Sequence, residues 1–216
     1  MISHQHKVIF IHIPKCAGRS ISEAFNQPFD HYTASYYQTK HPDWWNEYTV
    51  FTTVRNPYQR LVSMYHYIKN EPFHANHAIT NGGNMIPFKN WVLQNIASFT
   101  NEFDYASSEG ARETDGEKGS AFWFSSQTRR LAFYSQSFYK NIHILRYENG
   151  TSAVQNFIQN HIGITLSIPH LNSSHSDSRE NYLRYYDDEL LNAVNTFQPF
   201  VTDCTLLNYE VVTKCG

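Results

Sequence analysis

Three short apolar runs punctuate the chain, and each is followed by a stretch in which apolar residues recur every three or four positions. The runs, Lys7 to Ile13, Thr49 to Arg55 and Ile142 to Glu148, predict β-strands. The first is apolar on both of its faces, the mark of a parallel strand covered from both sides. After it, Ile21, Ala24 and Phe25 share one face of a helix. After the second, Asn56 stands where an N-cap belongs and Pro57 takes the first helical position, where its missing N–H costs nothing. Leu61, Tyr65 and Ile68 then form a core stripe. After the third, Val154, Phe157, Ile158 and Ile162 make a stripe that stops at Gly163, a C-cap signal. Asp177 and Glu180, in capping-box spacing, announce a last helix. Its buried side is Tyr182, Tyr186, Leu190, Val194 and Phe197, ahead of Pro199.

Strand–helix alternation of this kind predicts an α/β fold: a three-layer open sheet, mainly parallel, with helices on both faces. In such sheets ligands bind beyond the carboxyl ends of the strands. A chain of 216 residues fits one domain, residues 1–216. Residues 101–119 are polar and aperiodic and read as a loop.

Hydrophobic residues at 41% and charged residues at 17% are ordinary for a globular protein. The aromatic supply of 15 Tyr, 15 Phe and 4 Trp is core material first. Trp44, Trp45, Trp91 and Trp123 suit a sugar platform or a core equally. A net charge of -2 argues against nucleic-acid binding. Lys15, Arg19, Arg55 and Arg60 nevertheless fall in or beside two short segments, while much of the acid lies in residues 101–119. A locally positive pocket on a slightly acidic protein suits a small anionic ligand. Cys16, Cys204 and Cys215 have neither disulfide-framework nor zinc spacing. His74 and His77 read as a turn rather than a metal site. The opening MISHQHKVIF lacks a signal-peptide core and no run approaches a membrane span, so a cytoplasmic protein without a membrane partner is expected. On that expectation Asn149-Gly-Thr and Asn172-Ser-Ser match the glycosylation pattern by chance.

The first basic segment is HIPKCAGRS, His12 to Ser20. A strand, a tight turn and a helix start aim backbone N–H groups at one point. Gly18 permits close approach, Ser20 adds a hydroxyl and Lys15 a mobile charge. The order differs from the nucleotide-binding GxxxxGK[ST], because here the lysine comes first. An ordinary βα turn with a solvated lysine fits the same residues. The second segment is VRNPYQRLVSMY, Val54 to Tyr65. Arg55 closes a strand, and Arg60, Ser63 and Tyr67 share a helix face opposite the apolar stripe. A guanidinium with a hydroxyl is a phosphate clamp. Arg55 paired with a carboxylate and Ser63 on a helix surface is the alternative.

Together the two segments resemble the sulfotransferases that use 3'-phosphoadenosine 5'-phosphosulfate (PAPS), whose fold is P-loop-like. HIPKCAGRS is similar to their 5'-phosphosulfate loop, and VRNPYQRLVSMY to their 3'-phosphate motif. FDHYTASYY (Phe29 to Tyr37) resembles a His-x-Thr-Ala segment of the carbohydrate-modifying branch, and ILRYENG (Ile144 to Gly150) resembles its Arg-Tyr-Glu-Asn-Leu strand end. Cys16, Ala17 and Arg19 depart from the common Pro-Lys-Thr-Gly-Gly-Thr-Ser form, and Gly150 reads as drift. The resemblance implies that residues 15–20, namely Lys15, Cys16, Ala17, Gly18, Arg19 and Ser20, surround the phosphosulfate. Lys15 would stabilise the leaving oxygen. Arg55 and Ser63 would hold the 3'-phosphate, Tyr147 would reach the adenine, and Ser173 or Ser174 would close over the nucleotide. Histidine has the right range for a general base, and His31, heading the HYTA segment, is the expected one, with His41 and His12 as alternatives. No metal is expected, and the acceptor is a carbohydrate or small molecule. A nucleotide kinase is the competing reading; it would need a carboxylate at a strand end for Mg²⁺, and Glu148 is the one on offer. A non-catalytic sulfonucleotide- or glycan-binding protein is the other.

Overall fold

Four consecutive apolar residues, Val8–Ile11, make strand β2, and all four are fully buried. The computed structural model describes residues 1–70, 80–81, 84–99, 124–131, 141–169, 171 and 181–214. Its contacts divide the chain into a unit of Met1–Arg55, Ser108–Glu113 and Arg129–Asn172, and a second of Asn56–Ser107, Thr114–Thr128 and Ser173–Gly216. Residues 101–119, Ser173, Ser174, the His74–His77 segment, Trp123, Cys215 and the Asp177/Glu180 pair lie outside the described residues.

The first unit holds an open, mainly parallel α/β sheet. Strand β1 (Ile2–Ser3) is an antiparallel edge on β2, and β2 pairs in parallel with β3 (Thr49–Val54), which pairs in parallel with β6 (Ile142–Arg146). The three expected strands are present but shorter. Pairing ends at Ile11 opposite Thr52 and at Arg146 opposite Val54, and the chain leaves the sheet there. Beyond Arg146 it turns through a 3-10 segment, Tyr147–Asn149. Helices α1 (Gly18–Ala24), α2 (Ala34–Lys40) and α3 (Pro42–Glu47) lie between β2 and β3 in the chain.

The Ile21–Phe25 stripe behaves as its spacing predicts. Ile21 and Phe25 are buried with Phe10, Phe51, Val154, Phe157 and Ile158, and Ala24 is packed at the edge of that cluster. The rings of Phe10, Phe51 and Phe157 form a chain at 5.0 and 5.3 Å. Each such side chain contributes roughly 1.5–3 kcal/mol on burial. Val154, Phe157 and Ile158 come from the long helix Gly150–Ile162, which ends at Gly163 with φ 77°, the left-handed cap expected. Gly150, which reads as drift in the sequence, has φ 76° where the 3-10 turn enters that helix, so a glycine suits the backbone there.

In the second unit, α4 (Pro57–Asn70) opens as predicted: Asn56 Oδ1 accepts from the amides of Tyr58 (3.0 Å) and Gln59 (3.3 Å). Leu61, Tyr65 and Ile68 are buried, but so are Arg60 and Ser63, so the helix has no solvated face at those positions. A two-stranded hairpin follows, β4 (Thr80–Asn81) and β5 (Asn84–Met85), then α5 (Phe88–Ala97) and the short α6 (Gln127–Leu131), which crosses the division between units at Thr128. In chain order the helix Gly150–Ile162 is α7.

The single C-terminal helix expected from Tyr182 to Phe197 is two elements, and a further helix follows them. A 3-10 turn covers Tyr182–Tyr185, and α8 (Asp188–Thr196) starts afresh behind Asp187, whose carboxylate accepts from Leu190 N at 2.9 Å. Pro199 does not stop a helix; it sits in the first turn of α9 (Gln198–Leu206), where proline is tolerated. No helix among the described residues is long and apolar enough to cross a membrane.

Asp203 on α9 is buried and accepts from Gln127 N (2.8 Å), Thr128 N (2.9 Å) and Thr128 Oγ1 (3.1 Å). Burial pushes its carboxyl up to about 6 from 3.8, against the pull of Arg60 and the amides. A carboxyl raised by folding contributes stability that is complete below its unfolded value and lost as pH rises through the folded one. Wild type is therefore expected to gain on Asp203→Asn by roughly 1–3 kcal/mol as pH falls from 7 to 4. Urea midpoints measured on both proteins give the difference, in which all other titrating groups cancel. A flat difference would refute the raised pKa of Asp203.

Candidate functional site

Three adjacent parallel strands deliver their carboxyl ends side by side, and each is followed at once by a residue of interest. Beyond β2 comes the loop Pro14–Ala17, beyond β3 comes Arg55, and beyond β6 comes Tyr147. The loop is pinned from beneath by β3. Thr52 Oγ1 donates to Ile11 O at 2.8 Å and Thr53 Oγ1 donates to Cys16 O. Arg55, only 2% exposed, donates from an η nitrogen to the Lys15 carbonyl at 3.3 Å. Its guanidinium carbon lies 4.4 Å from the centre of the Tyr147 ring. Lys15, Arg55 and Tyr147 are thus brought together, with the guanidinium over one face of the Tyr147 ring.

The loop backbone is strained. Lys15 has φ 69° and Ala17 φ 65°, both in the left-handed region that non-glycine residues avoid. Two such residues within three positions store on the order of 1–3 kcal/mol each, and strain of that kind gathers where a backbone is held for a ligand. Ala17 occupies the position where the family form has glycine, and it keeps the glycine-like conformation at that cost. The Cys16 side chain is fully buried and its thiol donates to Pro14 O at 3.7 Å, while its amide donates to Ile13 O at 3.3 Å and its carbonyl accepts from Thr53, so the residue holds the turn together from within.

Gly18 permits a close approach, but of a side chain. A Cβ at that position would stand 2.0 Å from Cδ2 of His12. The His12 ring is 4.5 Å, centre to centre, from the ring of His31. Both imidazoles are buried, His31 at 6% exposure, and Phe29 touches each edge-on while remaining exposed itself. Burial first, then the charges of His31, the Met1 amine, Arg130 and Lys15, hold His12 well below the ordinary imidazole range, so it is neutral at pH 7.

The His31 segment is fixed by its neighbours. Asp30 pairs with the Met1 amine at 3.0 Å and accepts from the Tyr37 hydroxyl. Thr33 caps α2 by accepting from Tyr36 N, which explains the threonine of the HYTA segment. Arg130, buried at the end of α6, donates to His31 O at 2.9 Å. No sequence signal marked Arg130, whose SQTRRL context reads as a surface basic pair. Thr53 had one: a short polar residue inside an apolar strand.

The remaining candidates fall as follows. Arg19 is exposed, with its guanidinium 5.4 Å over the Phe29 ring. Ser20 is buried and its hydroxyl accepts from Leu171 N at 3.2 Å, leaving its own O–H to donate elsewhere. His41 stacks on Trp44 at 4.4 Å. Trp45 and Trp91 are core. Ser63 is buried on α4 in the second unit. Arg60, counted with the basic segment in the sequence, donates to Ser125 O at 3.2 Å within that unit and faces Asp203 electrostatically.

Chemically the first unit offers a cation on a rigid turn, a second cation held flat on an aromatic ring, and an imidazole pair at the start of the next helix. A model of the sulfotransferase family matches residues 1–210 of the chain. No curated protein and no solved structure matches it.

Proposed function

The chain belongs to the sulfotransferase family and is an enzyme that moves a sulfuryl group from a sulfonucleotide donor; from that premise we propose that its donor is PAPS and its acceptor a hydroxyl on a carbohydrate or small molecule, with His31 as the base. The observation that carries this reading is the convergence of Lys15, Arg55 and Tyr147 at three neighbouring strand ends, with the His12–His31 pair packed against the loop that bears Lys15.

PAPS supplies an activated sulfuryl group, and the chain's residues position and stabilise. Lys15 sits beside the oxygen that joins sulfur to the departing 5'-phosphate. Charge grows on that oxygen during transfer, so the ammonium binds the transition state better than the ground state. The backbone amides of Ala17 and Gly18 and the Ser20 hydroxyl hold the non-bridging oxygens. His31 removes the acceptor proton as the new O–S bond forms. Arg55 holds the 3'-phosphate, as its motif implies. Five N–H donors in a plane let Arg55 serve Lys15 O and a phosphate at once. Tyr147, whose ring centre lies 4.4 Å from the Arg55 guanidinium carbon, reaches toward the adenine.

Selectivity for a 3'-phosphate is the test. Adenosine 3',5'-bisphosphate is expected to bind at least about tenfold more tightly than ADP, since a charge-assisted contact contributes about 1.5–3 kcal/mol. Titration calorimetry with both nucleotides measures it, and equal affinities would remove Arg55 from the role.

A further inference from the structure

An in-line displacement sets a geometric demand that neither Lys15 nor His31 meets alone. The bond from the acceptor oxygen to sulfur forms on one side while the bond from sulfur to the bridging oxygen breaks on the other. The acceptor proton passes to His31 and the electron pair of the broken bond stays on the oxygen facing Lys15. The two residues therefore work from opposite ends of one line, and a misplacement of 1 Å in such an arrangement costs about 10²-fold. Something must hold the loop and the base at a set distance.

One side chain touches both. His12 follows β2 directly, so the sheet fixes its backbone. One side of its ring lies on Gly18, so closely that a Cβ there would overlap three ring atoms at 2.0–2.6 Å. On another, the His31 ring stands 4.5 Å away at an interplanar angle of 34°. Phe29 closes the edge at 5.6 Å and Phe10 stacks at 6.2 Å. His12 Nδ1 is buried with no hydrogen-bond partner among the described residues, so packing holds the ring there. We infer that His12 is a positioning residue: a flat spacer wedged between the phosphosulfate loop and the base, which sets the line along which sulfur travels.

The wedge also suits the charge that appears. When His31 takes the acceptor proton it becomes a cation, and a neutral aromatic ring against it is favourable where a second cation would repel. The groups facing His12 are His31, Lys15, Arg130 and the Met1 amine, and together with burial they keep it uncharged. His12 therefore supports the proton on His31 without competing for it.

This inference rests on the function proposed above, and a double-mutant cycle on the full chain separates the two. Wild type, His12→Ala, Gly18→Ala and the double variant are assayed for transfer from PAPS to the best acceptor in a panel of sugars and phenols, and for binding of adenosine 3',5'-bisphosphate. Each single change is expected to lower kcat about 10²-fold, with bisphosphate affinity of His12→Ala close to wild type. In the double variant the new Cβ meets no ring, so kcat is expected to match His12→Ala alone. If the two losses multiply, or if His12→Ala keeps its kcat, the spacer role is wrong. Should His12→Ala melt too low to assay, His12→Leu, which fills the core without a flat ring, is assayed as a single variant, and a kcat equal to wild type overturns the spacer role. A wild type that neither binds the bisphosphate nor transfers from PAPS overturns the proposed function, and the spacer with it.

Discussion

His31→Ala is expected to transfer sulfuryl groups about 10²–10⁴-fold more slowly than wild type, the usual contribution of a positioned general base, while its affinity for adenosine 3',5'-bisphosphate stays nearly unchanged. The separation follows from how the residue is held. Arg130 grips the His31 backbone carbonyl, not its ring. Asp30, one residue earlier, is anchored by the Met1 amine and Tyr37, and Thr33, two residues later, caps α2. Removing the imidazole therefore leaves the segment in place and takes away the proton acceptor. The phosphosulfate loop, pinned by Thr53 and Arg55, does not depend on that ring. Single-turnover rates with labelled donor measure the loss, and calorimetry measures the affinity. A rate within about threefold of wild type would be too small for general-base catalysis and would move the assignment to His41, whose ring stacks on Trp44.

A buried parallel strand announces itself as an unbroken apolar run, which makes β2 legible, whereas β3 (TVFTTV) and β6 (IHILR) are legible from apolar and β-branched residues interrupted by Thr52, Thr53 and His143. The stripes of α1, α4 and α7 were equally plain, and Asn56, Pro57 and Gly163 marked boundaries because each answers a backbone requirement that few residues meet. What was hidden depends on tertiary contact. β1 is two residues long, too short for any period. Pro199 reads as a stop, yet proline fits the first turn of a helix as well, and only the packing around Phe197 and Phe200 decides. At the site, the Lys15 loop and Arg55 were carried by their motifs. Arg130 was invisible, because nothing local distinguishes a buried arginine at a carbonyl from a solvated one beside Arg129. Gly18 signals a close approach in the sequence, but only the fold shows that the His12 ring fills the space beside it. Arg60 misled through proximity: it shares a segment with Arg55, but its charge serves Asp203 and Ser125 in the other unit.

Lys15→Gly is expected to lower kcat by about 10²–10³-fold, the usual effect of removing one group that meets a developing oxyanion, without lowering the melting temperature. Most substitutions that remove activity this strongly also cost stability. Here the two should part, because Lys15 has φ 69° and glycine adopts that conformation without a Cβ penalty. The gain from released strain, on the order of 1 kcal/mol, offsets the greater freedom of glycine in the unfolded chain. The bond from Arg55 to the carbonyl of residue 15 survives, since it uses the backbone. If the rate falls while stability holds, a lysine kept at a turn where glycine would be more comfortable is there for chemistry rather than for folding. Lys15→Arg sharpens the point: it keeps the charge, but the broader guanidinium cannot put one compact ammonium against the bridging oxygen, so it should recover only part of the rate. Calorimetric melting and steady-state rates on the two variants decide the matter. If Lys15→Gly destabilises the protein and leaves kcat intact, the residue shapes the loop and another cation must meet the leaving oxygen.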